Sequence, residues 1–484
     1  TMGQGGFQEV EQMNLFKDMV CYQEEVRDPS RMAEVLNRVI EKAIRGSAPA
    51  QINVPRDYWT QVIDIELPPI VRLERQGGGA DAISKAADLL SQAKFPVILS
   101  GAGVVIGGAI EETKKLAEKL DSPVCSGYQH NDSFPGSHPL AVGPLGYNGS
   151  KAAMELISKA DVVLALGTRL NPFSTLPGYG IDYWPKKASI IQVDINPDRI
   201  GLTKKVTVGI SGDAKLVAKQ ILEKLSSKAG DTDRQKRKDL IHQTKSAWLQ
   251  KLSSLDHEDD DEGTVWNKEA RERDSDRMSP RQAWRAIQSG MPEDVIISSD
   301  IGNNCAIGNA YPTFEKPRKY LAPGLFGPCG YGFPSILGAK IGCPDTPVIG
   351  FAGDGAFGIS MNEMSSCARE EWPAITMVIF RNYQWGAEKR NTTLWFDNNF
   401  VGTELDPELS YAKVADACGL KGVTVKTMEE TTAAINQSCE DQKKGITTFI
   451  EVILNQELGE PFRRDAMKKP VKVAGINKAD MKKQ

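Results

Sequence analysis

Apolar residues along the chain follow two patterns, one typical of helices and one typical of buried strands. Residues 29–46 have apolar positions at helical spacing, namely Met32, Val35, Leu36, Val39, Ile40 and Ala43. Gly46 is a helix-ending residue, and the following AQINVPRDYW predicts a short strand that stops at Pro55. This stretch is typical of the end of an α/β domain.

Residues 80–225 alternate helix and strand patterns after the glycine run 77–79. Helices are predicted over residues 82–93, 110–120 and 154–160, and strands over PVILSG, VVLALG and IIQVDI. This alternation predicts a doubly wound parallel sheet, that is, a Rossmann-like middle domain.

The remainder of the chain contains a charged connector and a second α/β region. Residues 226–278 include the acidic run 258–262, which we interpret as part of a solvated connector with one or two surface helices rather than as a metal site. Residues 279–454 contain four further strand signals, DVIISSDIG, PVIGFAGDG, ITMVIFRN and TTFIEVIL. They predict a second parallel sheet, followed by a basic, weakly patterned tail at 455–484.

Composition narrows the class of protein. The 484 residues are 40% hydrophobic and 25% charged with a net charge of -4, which suits a multidomain soluble protein and gives no basic footprint for nucleic acid. The longest uncharged run, 322–339, contains five glycines and is therefore not a membrane helix. Eight cysteines without a C-x-x-C pair predict free thiols, mostly buried, in a reducing cytoplasm. Because the chain opens with Thr1, we expect a further segment upstream.

Two polar residues follow neighbouring apolar runs in the second sheet. Gly353-Asp354-Gly355 follows PVIGFA, and Asn382 follows ITMVIF twenty-eight positions after Asp354. Since parallel strands end at one edge, we expect both side chains to lie there together. Oxygen ligands beside glycines and a helix start suit a magnesium ion that holds a diphosphate, whereas G-D-G alone could be a simple turn. Residues 360–363, SMNE, predict a capping box for a helix with Met361, Met364 and Ala368 on one face.

G-D-G followed about thirty residues later by asparagine resembles the motif of thiamine diphosphate-dependent enzymes. The resemblance implies that Asp354, the Asn382 side chain and the Gln384 carbonyl bind Mg²⁺, and that Gly353, Gly355 and Ala356 adjoin the cofactor. The family commonly has Asn-Asn where this chain has Arg381-Asn382. With the metal ligand aligned on the second asparagine, we interpret the departure as the less informative position.

Two other loops are similar to segments of the same family. SSDIGNN resembles the loop that contacts the diphosphate, which implies roles for Asn303 and Asn304. Residues 324–334, GLFGPCGYGFP, resemble the segment that bends the cofactor. On that alignment Cys329 is the apolar wedge, and the Gly327 carbonyl accepts a hydrogen bond from the aminopyrimidine. A nucleophilic Cys329 is disfavoured because no histidine lies near it in sequence.

Long polar strings in loops are similar to the acetolactate synthase-like group and, within it, to the family of sulfoacetaldehyde acetyltransferases; among them are GFQEVEQMNLF, SDIGNNCAIGNAYPTFE and FRNYQWGAEKRNTTLW. The resemblance implies that sulfoacetaldehyde and phosphate become acetyl phosphate and sulfite through 2-acetyl-thiamine diphosphate, in taurine or organosulfonate degradation. It implies at least a homodimer, or a homotetramer, and no membrane partner. The glutamate that activates the cofactor is expected upstream, in the pyrimidine-binding domain.

The resemblance divides the chain into regions. We expect the end of the pyrimidine-binding domain at 1–76, the middle domain at 80–225, the connector at 226–278, the diphosphate-binding domain at 279–454 and the tail at 455–484. In the middle domain, SGAG (100–103), Gly167-Thr168-Arg169 and VDINPD resemble nucleotide-binding positions of relatives, which we interpret as a vestigial pocket.

Charged residues near the predicted site are candidates for catalysis and substrate binding. Glu388 falls where some relatives place an acid-base glutamate, and Lys389 and Arg390 are the neighbouring catalytic candidates. The expected cleft-facing turn includes Asn391, while Arg463 and Arg464 form a second cationic set and Gln8 is a further substrate candidate. A solvated helix start and a surface tail are the alternatives for these two cationic sets.

Other functions remain open at this stage. An acetolactate synthase-like carboligase or a sulfopyruvate decarboxylase would share the cofactor site but ignore phosphate. A non-catalytic fragment that binds the cofactor or a nucleotide without turnover is an alternative from another class.

Overall fold

The computed structural model describes residues 3–69, 74–226, 233–254, 265–324, 326–369, 371–396 and 398–458, without the side chains of 254, 265–267, 391 and 393–395. The chain divides into two compact units, Thr1–Arg75 and Gln76–Gln484. No helix within the described residues is long and apolar enough to cross a membrane.

The first unit contains a small parallel sheet covered by one long helix. Its elements are α1 (Gln12–Phe16), β1 (Tyr22–Glu25), α2 (Met32–Gly46) and β2 (Ala50–Asn53). Val35 and Val39 of α2 are buried, and α2 ends at Gly46 because Ser47 adopts a left-handed conformation with φ 47°. The helix predicted within residues 29–46 and the short strand predicted before Pro55 are confirmed. The buried stripe was predicted too wide, since Leu36 and Ile40 are 43% and 48% exposed.

The second unit begins with the predicted Rossmann-like sheet. Its strands are β3 (Pro96–Ser100), β4 (Val124–Ser126), β5 (Ala141–Pro144), β6 (Val162–Leu166), β7 (Ser189–Asp194) and β8 (Val208–Ser211), all parallel in the order β5-β4-β3-β6-β7-β8. Its helices are α3 (Ala80–Gln92), α4 (Ala102–Gly107), α5 (Ile110–Leu120), α6 (Lys151–Ile157) and α7 (Ala214–Lys224). Helix α6 starts earlier than predicted because the Ser150 side chain caps the Ala153 amide.

Two helices, α8 (Arg234–Ser254) and α9 (Val265–Arg273), occupy the predicted connector. The expectation of a solvated connector is wrong for α8, because Ile241 is 1% exposed within the core around the β3–β8 sheet. Arg237 is 2% exposed and donates hydrogen bonds to the backbone carbonyls of Lys94, Leu120 and Asp121. The acidic run 258–262 lies outside the described residues.

The second predicted sheet is also parallel throughout. Its strands are β9 (Ile296–Ser299), β10 (Tyr320–Leu321), β11 (Val348–Gly353), β12 (Thr376–Arg381), β13 (Lys421–Val425) and β14 (Thr448–Ile453), in the order β10-β9-β11-β12-β14-β13. Its helices are α10 (Pro280–Gly290), α11 (Asn303–Ile307), α12 (Gly332–Gly342), α13 (Asp354–Ser360), α14 (Met364–Cys367), α15 (Gly386–Trp395), α16 (Tyr411–Ala417) and α17 (Met428–Gln442).

Helices cover both faces of this sheet, which explains why its strands are continuous apolar runs. On β11, Phe351 packs into the core shared with α10 and α17, and Ala352 packs into the core shared with α12 and α16. On β12, Phe380 and Ile379 divide between the same two cores. Alternation along each strand therefore serves two helical layers and leaves the strand ends as the polar positions.

The predicted helix start at Ser360 is wrong. Helix α13 begins at Asp354, directly after β11, and the Ser360 side chain forms no capping hydrogen bond. A 3-10 turn, Met361–Glu363, then leads into α14. Met364 is buried, whereas Ala368 is exposed.

All eight cysteines are free, as predicted, but the expectation that most are buried is wrong. Cys125, Cys305, Cys367 and Cys439 are buried; Cys21, Cys329 and Cys343 are exposed, and Cys418 is intermediate.

Candidate active site at the ends of β9, β11 and β12

Asp354 and Asn382 lie at neighbouring strand ends, as predicted. Strands β11 and β12 are paired in parallel with Gly353 opposite Phe380, so Asp354 is level with the last residue of β12. The Tyr383 amide donates a 2.7 Å hydrogen bond to Asp354 Oδ2, which joins the two segments directly. Their roles as metal ligands remain predictions.

The Asp354 carboxylate is 1% exposed and is surrounded by donors. Oδ1 accepts a hydrogen bond from the Gly355 amide at 2.9 Å, and Oδ2 accepts one from Arg381 Nη1 at 3.0 Å in addition to that of Tyr383. Burial raises the Asp354 pKa to about 6, although the positive charge of Arg381 and the amide donors act in the opposite direction. A nearby divalent cation would stabilise the ionised carboxylate further.

Asn382 and Gln384 flank a residue with an unusual backbone conformation. Tyr383 has φ 59°, in the left-handed region that side chains other than glycine rarely adopt. Asn382 and Gln384 are 1% and 2% exposed, and Gln384 Nε2 donates to the Gln456 carbonyl at 3.1 Å. Among the described residues, Asn382 Nδ2 and Gln384 Oε1 have no hydrogen-bond partner. Orphaned buried polar atoms of this kind fit a site that is completed by a ligand.

The loop after β9 contributes the predicted asparagines. Gly302 has φ 120° and leads into α11, which begins at Asn303. Asn303 lies against Gly386, where an added Cβ would be 3.1 Å from the Asn303 Cβ, and it donates to the Glu457 carbonyl at 3.2 Å. Asn304 Oδ1 is buried and finds no partner in the described part of the chain. Asn303 is therefore tied to the start of α15, a few residues beyond Gln384.

Two glycines of the site, Gly302 and Gly353, have unoccupied space beside them. A Cβ added at Gly353 or at Gly302 would meet no heavy atom within 4 Å. By contrast, a Cβ at Gly355 would lie 2.9 Å from the Trp385 ring, so Trp385 packs directly on the start of α13. Ala356 is 5% exposed and packs into the core on the α12 side of the sheet. The open positions fit a diphosphate between the loop after β9 and the end of β11.

Asp300 is a site residue that the sequence analysis missed. It follows β9 just as Asp354 follows β11, and it is 1% exposed. Its carboxylate accepts hydrogen bonds from the amides of Ile301, Gly330 and Gly332 at 2.8, 3.2 and 2.7 Å. Asp300 therefore fixes the loop that contains Gly327 and Cys329. An aspartate directly after a buried strand was the available signal.

Cys329 is influenced by burial and by two carboxylates. Although Cys329 is an exposed residue, partial burial of its thiol raises the thiol's pKa, and the carboxylates of Asp300 and Glu388 raise it further. Glu388 is exposed in the first turn of α15. Gly327 has φ 62°, which allows the tight turn just before Cys329. A thiol with a raised pKa is a poor nucleophile, which agrees with the apolar role predicted for Cys329.

Lys389 and Arg390 contact separate partners, and their expected cleft-facing arrangement stays a prediction. Lys389 is 1% exposed, its ammonium group is bonded to Glu404, and burial lowers its pKa. Arg390 is 5% exposed and lies over the Tyr147 ring at 4.8 Å, next to the middle domain. The Asn391 side chain lies outside the described part of the chain, as do Arg463 and Arg464. Gln8 belongs to the first unit, where it is exposed with φ 61°.

The glycines of the middle domain have a packing role. A Cβ at Gly101 would lie 2.5 Å from the Gly167 carbonyl oxygen, and one at Gly103 would lie 2.7 Å from the Gly167 Cα. The Gly103 amide donates to the Gly167 carbonyl at 2.8 Å. Close contact between the ends of β3 and β6 therefore accounts for these residues without a bound nucleotide.

The described residues contain no group of three or more His, Cys, Asp or Glu side chains that could hold a metal ion. A cation at Asp354 would instead have one carboxylate, one amide oxygen and one backbone carbonyl. Mg²⁺ commonly completes such a partial set with substrate phosphates and water. The residues present therefore fit a cation that arrives together with a diphosphate.

Comparison with known proteins agrees with this geometry. Residues 83–221 match the central domain of thiamine pyrophosphate enzymes, and residues 300–452 match their C-terminal TPP binding domain. The chain is 78% identical over 484 residues to the probable sulfoacetaldehyde acetyltransferase of Rhizobium meliloti (strain 1021), covering all of this chain and 82% of the relative. The chain belongs to the sulfoacetaldehyde acetyltransferase family of thiamine pyrophosphate enzymes.

Further matches support this family assignment. The sulfoacetaldehyde acetyltransferase of Roseovarius nubinhibens is 74% identical over the whole of this chain and 80% of its own length. The crystal structure of benzoylformate decarboxylase from Polynucleobacter necessarius aligns with a TM-score of 0.73, at 20% identity, over 93% of this chain and 79% of that chain, and it shows the shared fold alone. The resemblance, fold class and thiamine diphosphate cofactor predicted from sequence are confirmed. The matched ranges lie inside the predicted 80–225 and 279–454 domains, whose boundaries remain a prediction.

Proposed function

We propose that this protein converts sulfoacetaldehyde and phosphate to acetyl phosphate and sulfite, as a thiamine diphosphate-dependent acetyltransferase in organosulfonate degradation. The observation that carries the proposal is the meeting of Asp354, Asn382 and Gln384 at adjoining strand ends in a chain 74–78% identical to sulfoacetaldehyde acetyltransferases. The cofactor site supports thiamine diphosphate chemistry, and the names of the relatives support sulfoacetaldehyde as the substrate.

Residues of three strand ends would hold the cofactor. Asp354, the Asn382 side chain and the Gln384 carbonyl would bind Mg²⁺, and Asn303 and Asn304 would adjoin the diphosphate. When bound, thiamine diphosphate supplies a carbanion that adds to carbonyl carbon and accepts electrons from it. Asp300 positions the loop of Gly327 and Cys329 by accepting three amide hydrogen bonds. The cofactor would therefore bind against a loop whose position is fixed.

Glu388 is the proposed proton-transfer group. It stands in the first turn of α15, shortly after Asn382 and Gln384, at the position where some relatives place an acid-base glutamate. The reaction needs a proton removed from the aldehyde carbon and a proton delivered to the carbon that loses sulfite. A single carboxylate within reach of both carbons could serve the two steps in turn.

Arg390 is the better of the two neighbouring cations for an anionic substrate group. Lys389 is already bonded to the Glu404 carboxylate, which neutralises its charge. The guanidinium of Arg390 lies over the Tyr147 ring, and stacking of this kind fixes its plane. A planar guanidinium matches the oxygens of a phosphate or sulfonate better than a single ammonium group does.

Sulfite release from sulfoacetaldehyde tests the proposal directly. The purified protein, with thiamine diphosphate and Mg²⁺, should release sulfite and form acetyl phosphate only when phosphate is present. Sulfite or aldehyde chemistry that ignores phosphate would instead favour a carboligase or a sulfopyruvate decarboxylase. Cofactor binding without turnover of any of these substrates would indicate a binding role.

Assembly and location are proposed on separate grounds. The family resemblance supports a homodimer or homotetramer, and light scattering of the purified protein tests it. The eight free cysteines support a cytoplasmic location, because exposed thiols such as Cys21 and Cys343 persist in a reducing compartment.

A further inference from the structure

Arg381 is the last residue of β12 and directly precedes the proposed metal ligand Asn382. Its side chain is 0% exposed. Nη1 donates to Asp354 Oδ2 at 3.0 Å, and Nη2 donates to the Leu409 carbonyl at 2.9 Å and to the Asp406 carbonyl. The guanidinium is therefore held at both terminal nitrogens. The expectation that position 381 is the less informative one is wrong, because its side chain contacts Asp354.

Aromatic rings hold the same guanidinium from its sides. Its central carbon lies 4.2 Å from the Tyr383 ring centroid and 5.5 Å from that of Tyr411. The Tyr383 ring also lies under Arg277 at 5.0 Å, and the Tyr411 hydroxyl donates to the Asp354 carbonyl at 2.8 Å. Arg381, Tyr383 and Tyr411 thus form one rigid support around Asp354.

The two carboxylate oxygens of Asp354 differ in the number of hydrogen bonds they accept. Within the described residues, Oδ2 accepts two hydrogen bonds, from Arg381 and from the Tyr383 amide, whereas Oδ1 accepts one, from the Gly355 amide. Since a carboxylate has about two acceptor positions on each oxygen, Oδ2 is filled and Oδ1 keeps one position for a cation.

Resting on the proposed cofactor site, we infer that Arg381 is a positioning residue that restricts Asp354 to one-oxygen ligation and thereby favours Mg²⁺ over Ca²⁺. Mg²⁺ takes six ligands in a strict octahedron, where a carboxylate contributes one oxygen. Ca²⁺ accepts more oxygens and often binds both oxygens of a carboxylate. Holding Oδ2 away from the cation therefore selects against the larger ion.

Two substitutions separate geometry from charge. R381K keeps a positive charge but loses the planar fork that grips Oδ2 and the carbonyls. R381Q also removes the charge and leaves Asp354 and the buried Glu451, whose Oε1 lies 3.7 Å from Arg381 Nε, without their shared cation. If R381Q does not fold, R381K decides the question, because it preserves the charge between the two carboxylates.

R237K is the matched control. Arg237 is similarly buried and also donates to backbone carbonyls, but its acceptors belong to the domain of the β3–β8 sheet. R237K should lower the unfolding temperature without changing cation preference. A loss of stability alone would thus be distinguished from a change at the metal site.

The experiment starts from protein that has been freed of metal and cofactor. Thiamine diphosphate is added to saturation, and MgCl₂ or CaCl₂ is then titrated. Tryptophan fluorescence reports binding, because the Trp385 ring packs on Gly355 at the start of α13. We expect the wild type and R237K to prefer Mg²⁺, and R381K and R381Q to shift the ratio of the two affinities towards Ca²⁺ by about tenfold, the worth of one charge-assisted hydrogen bond.

Two results would overturn the inference. One is a wild-type protein that binds the cofactor equally well with either ion, and the other is a folded R381K variant with an unchanged ratio. Failure of the wild type to bind thiamine diphosphate with any cation would instead count against the proposed function. The two failures are therefore distinguishable.

Discussion

The ammonium group of Lys389 is bonded to the carboxylate of Glu404, although the two side chains are 1% and 57% exposed. Gln456 closes the arrangement, since its Oε1 lies 3.5 Å from Lys389 Nζ and its Nε2 donates to Glu404 Oε2 at 3.1 Å. A surface carboxylate thus neutralises a buried cation a short distance from the proposed metal site.

E404Q should destabilise the protein more than a surface substitution does. The variant leaves a buried ammonium group without its carboxylate, for a loss of about 2 kcal/mol, less than for a fully buried pair because Glu404 is half exposed. Thermal unfolding of the cofactor-free protein measures the effect. D182N, which breaks the exposed ion pair with Lys186, should change stability by less than about 0.5 kcal/mol. Equal unfolding temperatures for the two variants would contradict this account.

D300N should weaken thiamine diphosphate binding. An amide can replace one of the two carboxylate oxygens as an acceptor but not both, so the amides of Ile301, Gly330 and Gly332 lose part of their support. We expect a rise in the cofactor dissociation constant of about tenfold, measured by calorimetry at saturating Mg²⁺. The buried Asp132 offers a control, since it accepts hydrogen bonds from the Lys319 and Tyr320 amides away from the site. Both amides donate to the same oxygen of Asp132, which an asparagine keeps, so D132N should leave cofactor affinity unchanged.

E388Q should lower kcat by about 10²–10⁴-fold, the usual worth of a proton-transfer group. The cofactor dissociation constant should stay the same, because Glu388 is exposed in the first turn of α15 and is not one of the residues proposed to hold the diphosphate. The control is E440Q, which removes an exposed carboxylate that pairs with Lys443 on α17. A kcat within twofold of the wild type would remove Glu388 from the proposed chemistry.

Acid should destabilise the second unit through His130. Burial, helped by the positive charge of Arg169, lowers the pKa of His130 to about 4, whereas an unfolded histidine titrates near 6.5. Between these values the unfolded state binds the extra proton, so the unfolding free energy falls as the pH drops from 6.5 to 4, by up to about 3 kcal/mol. Above pH 6.5 both states are neutral and the contribution is complete.

Unfolding temperatures at pH 7.5, 5.5 and 4.5 test this dependence. H130N should unfold with a smaller difference between pH 7.5 and 4.5 than the wild type does, because asparagine has no proton to gain. The same difference in both proteins would assign the acid sensitivity to other groups.

The strands that position the site could be predicted from sequence because burial on both faces makes them continuous apolar runs. PVIGFAG and TMVIFR have this form, so the polar residues that follow them had to lie at a sheet edge. The family motif then paired Asp354 with Asn382. Local pattern and topology were sufficient for this part of the site.

Contacts between residues distant in sequence could not be predicted in this way. Asp300 accepts hydrogen bonds from amides some thirty residues later, and the salt bridge of Arg381 with Asp354 depends on the register between β11 and β12. The false capping box at Ser360 has a related cause. Its sequence fits a helix start, but β11 delivers the chain into helix six residues earlier.

The hydrogen bonds from Asn303 and Gln384 to the carbonyls of Glu457 and Gln456 bear on the order of folding. Gln456 and Glu457 follow β14, the last strand in the described part of the chain, which is inserted between β12 and β13 in the sheet. The loop after β9 and the turn after β12 thus acquire these two hydrogen bonds only after β14 and the residues that follow it have been synthesised. Such sequence-distant pairing forms late, because loop closure must precede it. We therefore expect chains that stop before Gln456 to bind thiamine diphosphate poorly, so that cofactor binding indicates a completed sheet.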